Sequence, residues 1–169
     1  MTRRARQRAA GIVFFCNVSS ASLADRDFVQ DVTDFLEENR DLAQNIILET
    51  AQSGLDFENE DLKRQVDRLA ALGTRFSLDN VTELPLDYAR LAEWHIRFVK
   101  VPAERFADAD PEGAWEGSLF QLRRMLGLHG IDLIVEHIET DRQLVELLEF
   151  NIAYGQGYLF GEPKPTPEE

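Results

Sequence analysis

Seven polar residues of this chain have the types and spacing to act together: Asn17, Glu49, Asp79, Lys100, Glu136, Glu139 and Gln156. Carboxylates and carboxamides are hard oxygen donors of the kind that divalent cations take. The pattern is sharpest in Asp132-Leu133-Ile134-Val135-Glu136-His137-Ile138-Glu139-Thr140, an apolar run that ends in two carboxylates three residues apart. Such a run, followed at once by a helical pattern, reads as a buried parallel strand feeding a helix, with Glu136 at the strand's carboxyl end. Ligands and metals collect at that end of α/β folds, because the loops there fan out above the packed core. On this stretch alone a second reading stands beside it: Glu136 and Glu139 begin the next helix, where the helix dipole favours acids.

The elements that would position these residues repeat one unit. Ile12–Val18 reads as a strand, followed by a helix with an apolar face of Phe28, Val32, Phe35 and Leu36. Asn45–Glu49 is the next strand, and Leu62, Val66, Leu69 and Leu72 mark the following helix, with Gly73 at its C-cap. Arg75–Asp79 and Phe98–Val101 are strands separated by a short helix over 86–94. A helix over 115–126 precedes the Asp132 strand, and a helix over 143–150, with Leu144, Leu147 and Leu148, precedes Ile152–Gln156. Strands alternating with helices imply a parallel sheet with right-handed crossovers. Asn17, Glu49, Asp79, Lys100, Glu136 and Gln156 each close a different strand. A barrel focuses such residues on one centre, whereas a doubly wound sheet spreads them along a line, so the expected fold is an incomplete (β/α) barrel of about six parallel strands.

Composition sets the outer limits. The 169 residues, 44% hydrophobic, suffice for one globular domain with a sizeable core. A net charge of −13 disfavours a nucleic-acid polymer or an anionic membrane as partner, since both are bound through basic patches, but leaves room for a small anion held by a few placed groups. The lone Cys16 cannot form an internal disulfide; it reads as a buried small hydrophobe in a reducing, cytoplasmic compartment. Arg3, Arg4, Arg6 and Arg8 before Ala9–Cys16 imitate a signal peptide, but Asn17 interrupts the apolar stretch, so residues 1–11 are expected to be a basic helical segment. No run approaches the roughly twenty apolar residues of a membrane span. Residues 12–162 form the expected domain and 163–169 a flexible acidic tail. His95 and His129 are expected at the surface, His137 on the rim or at a ligand, and Trp94, Trp115 and Tyr158 in the core or rim.

At the strand ends the chain resembles the EAL domain of bacterial cyclic-di-GMP phosphodiesterases. Cys16-Asn17-Val18-Ser19 is similar to the family's Asn-Val-Ser strand and Leu48-Glu49-Thr50 to its Glu-x-Thr-Glu strand. Phe76-Ser77-Leu78-Asp79-Asn80 stands where the family has Asp-Asp-Phe-Gly, and Phe98-Val99-Lys100-Val101 resembles its Leu-Lys-Ile-Asp. Val135-Glu136-His137-Ile138-Glu139-Thr140 matches Ala-Glu-Gly-Val-Glu-Thr, and Gly155-Gln156-Gly157-Tyr158 matches the closing Gln-Gly-Tyr signature. The resemblance implies hydrolysis of a phosphodiester with two divalent metals, Mg or Mn, about 4 Å apart. It carries over Asn17, Glu49, Asp79 and Glu136 as oxygen ligands, Lys100 and Glu136 as catalytic residues, and Glu139 and Gln156 as ligand-binding residues around them.

The departures from the family define the expected function. The Glu-Ala-Leu motif has no counterpart, Asn80 replaces a bridging aspartate, Val81-Thr82-Glu83-Leu84-Pro85-Leu86 replaces a glycine- and serine-rich loop, and Gln52 replaces the glutamate that anchors it. The catalytic and metal positions are therefore expected to be vestigial and a metal weakly held or absent. The leading expectation is an inactive receptor for cyclic di-GMP or a related nucleotide. Its competitors are a protein-interaction scaffold and a residual metal-dependent phosphodiesterase. The wording of Phe76–Thr82 with Phe98–Pro102 is similar to degenerate EAL domains of alphaproteobacteria, including TipF-type regulators of the flagellum. Because the family barrel closes with eight strands, six should leave a gap between Ile12–Val18 and Ile152–Gln156, covered by the basic helix, a second copy of the chain or a partner protein.

Overall fold

The computed structural model describes residues 12–107 and 116–162; the expected basic helix at 3–11, the expected tail at 163–169 and Trp115 lie outside the described residues. Six parallel strands run side by side in sequence order: β1 (Phe14–Asn17), β2 (Ile46–Ala51), β3 (Arg75–Asp79), β4 (Ile96–Pro102), β5 (Asp132–Glu136) and β6 (Tyr154–Gly155). Between them stand α1 (Ser20–Ala24), α2 (Arg26–Glu38), α3 (Arg40–Ala43), α4 (Glu60–Ala71), α5 (Tyr88–Glu93), α6 (Glu104–Ala107), α7 (Glu116–Leu128) and α8 (Asp141–Glu149). Strand order never reverses, so each crossover advances the sheet in one sense and curls it, where a doubly wound sheet would have a switch point. The result is the expected α/β half-barrel of six parallel strands, with β1 and β6 as its two edges.

Period-two alternation gives each central strand two buried faces. Leu48, Phe76, Leu78, Val99, Val101, Leu133 and Val135 point into one large core shared with the helices. Ile47, Phe98 and Ile134 form a smaller core on the concave side. On that same side, one pleat further along, lie Glu49, Lys100 and Glu136. The lumen is thus apolar at its floor and charged at its mouth. Edge-to-face rings extend the floor to both edges, Phe15–Phe98 at 5.4 Å and Phe98–Tyr154 at 6.4 Å between centroids.

Local signals explain most helix ends. The Asp25 side chain accepts from Asp27 and Phe28 N–H groups at the start of α2, and Thr140 with Gln143 forms a reciprocal capping box on α8. In α4, Leu62, Val66 and Leu69 are fully buried, each contributing about 2 kcal/mol of transfer free energy. Beyond its last turn Gly73 takes a φ of 99°, which suits a residue without Cβ. Because α8 begins at Asp141, Glu136 ends a strand and Glu139 precedes the cap, which settles the two readings of that stretch in favour of the strand.

Several expected core positions are corrected. The buried stripe of α2 is Val29, Thr33 and Leu36, while Phe28 and Phe35 are exposed. The helix is turned by one residue because Thr33 satisfies its hydroxyl internally, donating to Val29 O at 2.7 Å, and so tolerates burial. Leu148 is exposed, leaving Leu147 as the buried anchor of α8. Cys16 is exposed as well, since β1 is an edge strand with little packed over it. Trp94 is core, edge-on to Phe57. His95 Nε2 lies 2.7 Å from Asp67 Oδ1, within hydrogen-bond distance, and His129 stacks on Tyr88. Among the described residues no helix is long and apolar enough to cross a membrane.

Candidate functional site

The strand ends converge on Lys100. Its Nζ lies 2.6 Å from Glu49 Oε2, 3.7 Å from Glu136 Oε1 and 3.9 Å from Asp79 Oδ1. It also sits 4.9 Å above the Phe15 ring, a cation–π contact with the edge strand. Lys100, Glu49 and Glu136 are almost fully buried, and Asp79 is partly open. Three parallel strand pairings set these distances: β2 on β3 aligns Ala51 with Asp79, β3 on β4 shifts register at Phe76/Ser77, and β4 on β5 aligns Lys100 with Ile134.

One ammonium faces three carboxylates, so the centre keeps a net negative charge. Burial, then the negative charge of Asp79, pushes the Glu136 carboxyl above its ordinary value; Lys100 and His137 work in the opposite direction. The ammonium is within ion-pair distance of Glu49 Oε2 yet misaligned for a hydrogen bond, leaving Glu49 Oε2 and Asp79 Oδ1 buried without hydrogen-bond partners. Ser77 Oγ, on the same face of β3 as Asp79, is a third buried oxygen without one. Sequence reasoning missed Ser77 and Phe15, although period-two alternation puts Ser77 beside Asp79 and Phe15 beside Asn17 on the concave face.

The remaining expected site residues lie further out. Asn17 is exposed at the end of β1, in register with Glu49. Asn80 is exposed with a left-handed φ of 48°. Glu139 and Gln156 are exposed on the rim, where His137 meets Glu104 at 3.3 Å. The two carboxy-terminal motifs are stitched together through backbone: Gln156 N–H donates to Val135 O at 2.8 Å, Ile138 N–H to Gln156 O at 3.1 Å, and Leu159 N–H to Ile138 O at 3.1 Å. Gly157 is needed there because a Cβ would lie 2.2 Å from Ile138 O and 2.3 Å from Ile138 N.

The donor chemistry fits a hard divalent cation, with the carboxylates of Glu49 and Asp79, each carrying a buried oxygen without a hydrogen bond, as its anchors. A cavity of about 380 Å³ opens beside them, bounded also by Asn17, Ser19 and Ser53. Glu49 and Asp79, with Asn17 at the rim, would hold such an ion, which would supply positive charge to the acidic centre. Among the described residues no three His, Cys, Asp or Glu side chains are gathered closely enough to form a metal cluster, and Lys100 stands among the carboxylates. The expected loss of the loop anchor at Gln52 is corrected: its side chain holds Thr82 and Glu83 by hydrogen bonds.

A half-barrel of six parallel strands with a carboxylate–lysine centre at their carboxyl ends defines an α/β barrel-type domain. The family model described as the EAL domain matches residues 1–163, and the chain belongs to that family. It is 26% identical over 152 residues to the cyclic di-GMP phosphodiesterase RocR of Pseudomonas aeruginosa, covering 88% of this chain and 38% of that protein. It is 23% identical over 163 residues to the cyclic di-GMP phosphodiesterase PdeA of Borreliella burgdorferi, covering 90% of this chain and 23% of that protein. The chain therefore spans well under half the length of these curated relatives. Among solved structures it superimposes with a TM-score of 0.79 on the PaMucR phosphodiesterase in complex with c-di-GMP, at 19% identity, covering 96% of this chain and 72% of that one. An EAL domain protein of Listeria monocytogenes EGD-e gives a TM-score of 0.78 at 18% identity, covering 96% and 65%.

Proposed function

We propose that this domain receives cyclic di-GMP, or a closely related nucleotide, at the mouth of the half-barrel without hydrolysing it, as a receptor in a bacterial signalling process. The observation that carries the reading is the contrast between a buried acidic centre around Lys100 and its neighbour Asn80, an exposed, uncharged amide. Two-ion hydrolysis stabilises the attacking and the leaving oxygen together, and an amide lacks the negative charge that bridges two dications. With one ion at best, the leaving oxygen goes unstabilised. Ligand and centre are both anionic, so binding calls for a divalent cation at Glu49 and Asp79. The relatives named above supply the ligand, and the resemblance to TipF-type regulators makes flagellum assembly the process to test.

A scaffold with no nucleotide is the second reading, favoured by the apolar edge strand, where Phe14 is 47% exposed. Calorimetric titration with cyclic di-GMP in Mg²⁺ or Mn²⁺, followed by chromatography of the nucleotide, separates the readings. Saturable binding with intact nucleotide is expected. A linear product that disappears in Glu136→Ala would restore the phosphodiesterase, and no binding under either ion would leave the scaffold.

A further inference from the structure

We propose that Gln52 is a charge-neutral latch that fixes the start of the segment 81–86, between the carboxyl ends of β2 and β4, in one conformation, with no metal ion or ligand required. The segment leaves β3 directly after Asp79 and Asn80 and leads to α5. Its first amide, Val81 N–H, donates to Lys100 O at 3.0 Å, and the Val81 side chain is buried in the main core. The next two amides, Thr82 and Glu83, both donate to Gln52 Oε1, at 2.9 and 3.0 Å. Gln52 Nε2 in turn donates to Glu83 O at 2.9 Å. Gln52 sits in the 3-10 turn Gln52–Gly54 that follows β2, so the segment is tied to the end of β2 on one side and to the backbone of Lys100 in β4 on the other. Three successive N–H groups and one carbonyl are satisfied from within the protein, and none depends on the charged centre.

The pattern requires a carboxamide. Two N–H donors converge on one oxygen while a carbonyl oxygen needs a donor from the same side chain, and apart from a protonated carboxyl only Gln or Asn offers this pairing of acceptor and donor atoms. At this reach only Gln serves. An ionised Glu would accept the two amides but set its second oxygen against Glu83 O at the distance of a hydrogen bond. A protonated Glu would restore the donor. Gln52 is therefore a positioning residue: through Val81 and Thr82 it holds the exit of Asp79 and the backbone at Lys100, and occupancy of the centre is not relayed through this segment.

Hydrogen–deuterium exchange of the intact chain, read on a peptide spanning 80–86, tests this without reference to activity. Protection in the wild type is expected to be the same in EDTA and in millimolar Mg²⁺ or Mn²⁺. Gln52→Ala should speed exchange there about 10- to 100-fold at every pH, the loss of roughly two net hydrogen bonds. Gln52→Glu should exchange fast near pH 8 and, after correction for the intrinsic rate, return toward wild type near pH 5, where a carboxyl facing a carbonyl regains its proton. A purely structural contribution to stability would not produce that pH-dependent rescue. Peptides from β4 and β5 should stay unchanged in all variants, which guards against global unfolding. Unaltered protection in Gln52→Ala, or wild-type protection that appears only with metal, would overturn the proposal, whether or not cyclic di-GMP binds.

Discussion

Replacing Lys100 by Met removes the one cation that, among the described residues, pairs with the carboxylate centre, while keeping most of the side-chain volume. At an effective dielectric of about 20, contacts of 2.6, 3.7 and 3.9 Å correspond to gross attractions of about 6, 4 and 4 kcal/mol. Desolvation of the ammonium offsets most of that sum, and breaking a buried ion pair by deleting one partner typically costs about 3–5 kcal/mol. For a domain of this size each kcal/mol moves the midpoint by about 2–4 °C, so a drop near 10 °C is expected in thermal scans in EDTA. The mechanism is specific: the cost comes from carboxylates left without a counter-charge, so Glu49→Gln in the Lys100→Met background should recover about half of the loss. A fall of less than about 2 °C in the single variant would refute the argument, because the ammonium would then be replaceable by solvent. So would a Glu49→Gln change that adds to the damage instead of relieving it.

Glu136→Gln should raise the midpoint by a few degrees in EDTA. A carboxyl whose folded pKa is raised contributes stability that is present below its ordinary value of 4.5 and lost as pH rises through the folded value. The two proteins should thus melt alike in acid and diverge as pH climbs toward neutrality; parallel melting curves across that range would contradict the burial of this group. Millimolar Mg²⁺, Mn²⁺ or Ca²⁺ should raise the wild-type midpoint by neutralising the centre, and Glu49→Ala should abolish the increase; equal shifts in both proteins would assign the effect to other sites. Gly157→Ala should cost about 3 kcal/mol in urea unfolding, since its Cβ would meet the Ile138 backbone at 2.2–2.3 Å; a neutral outcome would mean the rim can open.

Strand–helix alternation and a polar residue at or near the carboxyl end of each strand are local, periodic properties, and the sequence alone determined them. Asn17, Asp79 and Glu136 close their strands as expected, whereas the strand of Glu49 runs on to Ala51, that of Lys100 to Pro102, and the last strand stops at Gly155, one residue before Gln156. Arg75–Asp79 and Asp132–Glu136 appear with the bounds that the pattern implies, and Glu49, Asp79, Lys100 and Glu136 converge because parallel strands in sequential order bring their carboxyl ends together. Tertiary structure decided what depends on partners distant in the chain. The face of α2 turned on the hydroxyl of Thr33 finding Val29 O, which apolar periodicity cannot register. Cys16 became exposed because β1 lies at an edge, a matter of strand order and not of its own apolar neighbours. Gln52, which as a letter looks like a lost charge, became an anchor because the 81–86 segment returns within reach of its amide thirty residues later. The position of Lys100 among the carboxylates, close enough to pair yet misaligned with Glu49 Oε2, follows from the register shift at Phe76/Ser77 and the curl of the sheet, and neither is encoded in any single stretch.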